Sequence, residues 1–128
     1  MENTNAREAT KATKECWEDN GGGLTIVWRD KSGKIIAAAW GLEYQYKGGD
    51  GKYDMVDWDD YKNCDGNSMG WVDTNTSNGA VSVKSIQNDI NEYEPLGNMT
   101  LVAKNVNSKL TLYPDKMGYA AKKYFNIK

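Results

Sequence analysis

The feature that most limits the fold is a pair of short apolar runs joined by a turn: Leu24-Thr25-Ile26-Val27-Trp28-Arg29, then Asp30-Lys31-Ser32-Gly33-Lys34, then a second run opening at Ile35. Leu24, Ile26 and Trp28 alternate with Thr25, Val27 and Arg29, which is the two-residue period of a strand, and so short a turn leaves no length for a crossover. The runs are expected to fold back as an antiparallel hairpin. In the second run Ala38, Trp40, Leu42, Tyr44 and Tyr46 share one parity, and Gly41, Glu43, Gln45 and Lys47 the other. One face is therefore expected to pack and the other to be solvated.

Other elements group around this hairpin. Asn5 followed by Glu8 forms a capping box, and Ala9, Ala12, Cys16 and Trp17 repeat at helical spacing, so a first helix is expected to run up to Asn20-Gly21-Gly22-Gly23. Beyond the turn at Gly48-Gly49-Asp50-Gly51-Lys52, residues 68–73 read as a short strand, and Asn78-Gly79 is a hairpin signal linking Trp71-Val72 to Ala80-Val81-Ser82-Val83. Ser85 caps a helix with Ile86, Ile90 and Tyr93 on one face, ended by Pro95 and Gly97. Residues 99–104 and 110–113 read as a further hairpin across Val106-Asn107-Ser108. Pro114 opens a last helix with Met117, Ala120, Ala121 and Tyr124 as its apolar stripe. The expected fold is a single α+β domain over residues 1–128, an antiparallel sheet of about five to seven strands with N- and C-terminal helices packed on one face. No internal repeat is present at solenoid or propeller spacing.

The chain is polar, with 39% apolar residues and a mean hydropathy of −0.77, but five Trp and eight Tyr supply large buried area with polar tips that suit the edge of a small core. A net charge of −2 draws the molecule neither to nucleic acid nor to anionic lipid. Charge is nevertheless segregated. Between Glu43 and Asp73 eight acids stand against three lysines, whereas from Lys104 onward six lysines stand against Asp115 alone. No run approaches the roughly 18 apolar residues of a membrane span. The opening residues lack the apolar core of a signal peptide, so a cytoplasmic location is expected. Cys16 and Cys64 are too few for a disulfide framework or a zinc cage, and are read as reduced thiols.

Histidine is absent, which removes the commonest general base, the Ser-His and Cys-His nucleophile pairs and the usual zinc ligand. The glycine clusters lack the Lys-Ser/Thr ending of a phosphate loop. Asp73-Thr74-Asn75-Thr76-Ser77-Asn78-Gly79 begins like a calcium loop but puts glycine one place late and Lys84 where the glutamate belongs, and Asn63-Cys64-Asp65-Gly66-Asn67 is equally turn-like. No cofactor, metal or catalytic residue is expected, and the chain reads as not an enzyme.

Two groups of residues point to binding. Residues 53–61 gather Tyr53, Asp54, Asp57, Trp58, Asp59, Asp60 and Tyr61, and aromatic anchors ringed by acids suit a basic protein surface. The bland alternative is an edge strand with its acids in water. Trp17, Trp28, Arg29 and Trp40 flank the first hairpin and would stack a nucleotide and contact its phosphate, unless they are core. The lysines from Lys104 onward read as a solvated face. The expectation is a small non-catalytic binding or inhibitor protein acting through residues 53–61 on a basic protein partner, with no direct nucleic-acid or membrane contact and with a homodimer compatible. Its richness in asparagine and lysine suits an AT-rich phage or mobile element, whose defence inhibitor presents carboxylates where a target expects phosphates. The alternatives are a nucleotide-binding protein using the tryptophan group and a hydrolase built on carboxylates.

Overall fold

A computed structural model describes residues 13–41, 70–106, 109–125 and 127. Among these residues six strands form one antiparallel sheet: β1 (Thr13–Asp19), β2 (Leu24–Arg29), β3 (Ile35–Trp40), β4 (Gly70–Asp73), β5 (Met99–Val106) and β6 (Lys109–Leu112). Their order across the sheet is β4-β3-β2-β1-β5-β6. Helix α1 (Val83–Tyr93) lies between β4 and β5 in the chain, and a 3-10 turn (Pro114–Lys116) followed by helix α2 (Tyr119–Tyr124) comes after β6.

The first hairpin forms as its alternation requires, closed by Asp30, whose Oδ1 accepts from the Ser32 amide and hydroxyl and from the Lys34 amide. Its two strands are not solvated on one side, however. Residues 35–39 are all buried, because the sheet is covered on both faces. On one face Trp17, Val27, Ile35, Ala38 and Val72 pack with Ile90 of α1. On the other Cys16, Ile26, Trp28, Ala37 and Ala39 pack with Met117, Ala121, Tyr124 and Phe125 of the C-terminal segment. The helices therefore sit on opposite faces, which corrects the expectation of a single helical layer. Two bulges reinforce this. Register shifts in the β2–β3 and β1–β5 ladders add Ile36 and Val102 to the α2-side core.

The expected N-terminal helix is also corrected over its described part: Thr13–Asp19 is a strand, paired with β2 on one side and β5 on the other. Cys16 and Trp17 point to opposite cores. The physical reason is that β1 is central. Lys14, Glu15 and Glu18 are buried charges inside the sheet, and at their positions polarity imitates the wet face of a helix. The Asn78-Gly79 hairpin is corrected too. Gly79 adopts φ +61 in a tight turn closed by Asn78 N→Val81 O (2.9 Å) and Val81 N→Asn78 O (3.0 Å), but no strand follows. Ser82 instead caps α1, accepting from Ser85 N (3.1 Å), while Ser85 Oγ accepts from the Ser82 amide (2.8 Å). The helix thus starts before Ser85. The last expected helix is split, with Pro114 in the 3-10 turn and only Tyr119–Tyr124 α-helical; Met117, Ala121 and Tyr124 of the expected stripe are buried and Ala120 half-buried.

Glu18 reaches from β1 to α2. Its carboxylate accepts from Gly118 N (2.6 Å) and Ala121 N (3.3 Å), which are the cap position and third residue of that helix. No side chain of α2's own cap residue serves those amides. A strand near one end of the chain thereby anchors a helix near the other.

Candidate functional site

A concave region lies where the β1–β2 turn, the α1–β5 connection and the C-terminal segment meet. Asp19 builds the turn: its Oδ1 accepts from Gly21 N (2.8 Å) and Gly23 N (3.0 Å), and Gly22 takes φ +84. The turn is tied to the α1–β5 connection by Asn20 N→Asn98 O (3.2 Å) and Asn20 Nδ2→Asn98 Oδ1 (2.7 Å). Gly97, at φ +76, brings the chain out of α1, and the Asn98 amide returns to Tyr93 O at 2.9 Å.

Three open clefts adjoin here. One of about 350 Å³ lies between the turn and α1, bordered by Thr25, Ile86, Asp89 and Tyr93. One of about 400 Å³ lies between the turn and Asp115, Gly118 and Tyr119. A wider one, about 630 Å³, runs over Trp17, Met99 and Leu101 between Glu94 and Lys116. Asp19 and Asn20 border the first two, and Thr100 and Lys116 the last two. Tyr93 borders the first cleft and Tyr119 the second, 37% and 75% exposed, and Leu96, in the chain between Glu94 and Gly97 of the third, is 66% exposed. Asp19, Asp89, Glu94 and Asp115 are exposed between them. Two lysines lie over aromatic rings, Lys116 Nζ 5.8 Å from the Tyr113 centroid and Lys123 Nζ 5.5 Å from that of Tyr119. Exposed apolar tips beside carboxylates are chemistry that can serve a protein interface, by packing and by charge.

Tyr53, Asp54, Asp57, Trp58, Asp59, Asp60 and Tyr61 lie outside the described residues. The tryptophan group is described, and its members are not gathered at one place. Trp28 is wholly buried on the α2 face, Trp17 is buried on the α1 face, and Trp40 is half-buried there beside Gly70. Arg29 is held by Glu15 Oε1 (2.8 Å from Nε), Gly33 O (2.8 Å) and Gln87 Oε1 (3.1 Å), and the same Glu15 oxygen accepts from Trp17 Nε1 at 3.0 Å. Its guanidinium joins β1, β2, the first hairpin turn and α1.

Burial, with Glu18 nearby adding to it, pushes the Cys16 thiol far above its ordinary range, so it is a free but inert thiol. Asp73, in the calcium-like stretch, accepts from Asn75 N (2.8 Å) and Thr76 Oγ1 (3.1 Å) and so serves its own turn. Among the described residues no three His, Cys, Asp or Glu side chains gather as a metal cage. Sequence reasoning missed Leu96 and Tyr119. Their signal was available, since Leu96 lies between Pro95 and Gly97 where no core position is expected, and Tyr119 falls off the stripe of its helix.

No protein-family model, curated protein or solved structure matches this chain.

Proposed function

We propose that this chain is a small non-catalytic binding protein that holds a basic protein partner through acidic-aromatic surface. The observation that carries this reading is the exposure of Tyr93 and Tyr119 on adjoining clefts that Asp19, Asp89, Glu94 and Asp115 also border, with Leu96 exposed in the chain beside Glu94. Interfaces use large apolar tips as anchors and complementary charge for encounter rate and selectivity. The same chemistry recurs in sequence at Tyr53, Asp54, Asp57, Trp58, Asp59, Asp60 and Tyr61. A protein of this kind suits a phage or mobile-element inhibitor that meets a nucleic-acid-binding target with carboxylates in place of phosphates.

The test is calorimetry of the full chain against a panel of basic nucleic-acid-binding proteins at low and high salt. Binding is expected to weaken with salt, and to fall about tenfold or more, roughly 1.4 kcal/mol, when Tyr93, Leu96 and Tyr119 are replaced by Ala or when Asp57, Trp58, Asp59 and Asp60 are. If neither set of replacements weakens a measured complex, the reading fails.

A further inference from the structure

The two edges of the sheet differ. On β4, Gly70, Val72 and Asp73 are buried and Trp71 is half-buried, whereas Lys109, Leu110 and Thr111 of β6 are exposed. Among the described residues β6 pairs only with β5. The direction of its backbone groups follows from the ladder. The Tyr113 amide donates to Val102 O at 3.0 Å, and in an antiparallel pair hydrogen-bonded residues alternate with unbonded ones. Lys109 and Thr111 therefore turn their backbone groups to β5, while Leu110 and Leu112 turn theirs outward. Among the described residues nothing meets these outward groups, which form a short row of donors and acceptors with the spacing another strand requires.

Side chains define what that strand would carry. Thr111 pairs with Lys104, and Lys109 with Val106, so Lys104, Val106, Lys109 and Thr111 share the α1 face at this edge. Leu110 shares the other face and is 42% exposed. An incoming residue opposite Leu110 would lie on its face, and the residues on either side would lie beside Lys109 and Thr111. The complementary sequence alternates carboxylates with apolar residues. A second copy of the chain is disfavoured, because two-fold pairing of β6 with itself repeats Lys104 and Lys109 on one stretch of face. Edge lysines commonly prevent such self-pairing, and the same charges select an acidic guest.

We infer that the β6 edge is a docking site for an extended acidic segment of another protein, added to the sheet as a strand with its carboxylates on the Lys104 and Lys109 side. This surface is separate from the acidic-aromatic clefts and does not depend on the reading given to them.

The test uses the full chain with two labelled probes, a short alternating Asp-Val peptide and its Lys-Val counterpart. The acidic peptide is expected to bind saturably by fluorescence anisotropy and to slow hydrogen exchange at the Leu110 and Leu112 amides, and the basic one is not. Replacing Lys104→Glu and Lys109→Glu together should reverse the preference by about tenfold or more in each direction. Leu110→Pro removes an outward N–H without costing a β5–β6 bond, so it should abolish binding while leaving the unfolding midpoint and circular dichroism close to those of the parent. The inference is overturned by a failure of the acidic peptide to bind, by binding that survives Leu110→Pro, or by a preference unchanged in the double Glu variant. It is equally overturned by self-association of the parent that Leu110→Pro removes, which would name a second copy as the occupant.

Discussion

Glu15 illustrates how one side chain fixes several others. Its Oε1 accepts from the Trp17 indole and pairs with Arg29, whose side chain is 18% exposed. Arg29→Met keeps the stem and removes the cation, leaving a buried carboxylate with one partner fewer; urea denaturation should show a loss of about 2–3 kcal/mol, below the full cost of breaking a wholly buried pair. Trp28 is fully enclosed on the α2 side, and Trp28→Ala is expected to lose about 3–5 kcal/mol in the same measurement. Cys16 should resist thiol alkylation in the native protein at neutral and mildly alkaline pH, as read by site-resolved mass spectrometry, and react on unfolding. Asp30 is held below the ordinary aspartate range, first by the Ser32 hydroxyl and then by the Ser32 and Lys34 amides, partly opposed by slight burial. A lowered folded value means that its contribution is present above the unfolded value and is lost as pH falls through the folded one. Asp30→Asn should therefore cost stability at neutral pH, and denaturation at a series of acidic pH values should show that difference closing.

At the scale of elements, helix α2 depends on a distant carboxylate. Six residues are too few to be stable alone, and Glu18 supplies acceptors for two of the amides at its start. Glu18→Ala should increase amide exchange selectively at Ala121 and nearby residues, and destabilise the fold by about 1–2 kcal/mol. Strand β4 depends on an absent side chain: a Cβ at Gly70 would collide with the indole of Trp40, so Gly70→Ala should separate β3 from β4 and lower the denaturation midpoint. These dependences also explain what could be read beforehand. The β2–β3 hairpin was legible because its alternation and turn are local, and so were α1 and the β5–β6 pairing. The strand nature of Thr13–Asp19 was not, because Lys14, Glu15 and Glu18 are polar and buried, and their burial follows from neighbours far along the chain. The placement of helices on opposite faces was lost for a related reason. With both faces of β2 and β3 enclosed, an expectation built on one wet face pointed the wrong way.

For the whole molecule, two surfaces carry different chemistry, and neither draws on the acidic stretch from Glu43 to Asp73, of which only Gly70–Asp73 is described. The clefts near Asp19, Glu94 and Asp115 carry exposed carboxylates and aromatic tips, and the β6 edge carries Lys104 and Lys109. If each takes the partner argued for it, both complexes should weaken as salt rises, yet the two sets of substitutions should act independently, which competition between an acidic peptide and a basic protein would reveal. The candidate surface was only partly legible. The acidic-aromatic residues 53–61 named from the sequence lie outside the described residues, and the adjoining of the clefts bordered by Tyr93 and by Tyr119 depends on the turn at Asp19 and Asn20 meeting the α1–β5 connection through Asn98, a contact no local pattern encodes.

The central position of β1 has a consequence for synthesis. Its first neighbour, β2, emerges from the ribosome almost at once, but its second, β5, lies some 80 positions later. At about 5–20 residues per second the nascent chain carries the open side of β1 for roughly 4–16 s. Until β5 is made, Lys14, Glu15 and Glu18 stand charged on the two faces of β1 beside that open edge, and charges so placed disfavour pairing with another chain.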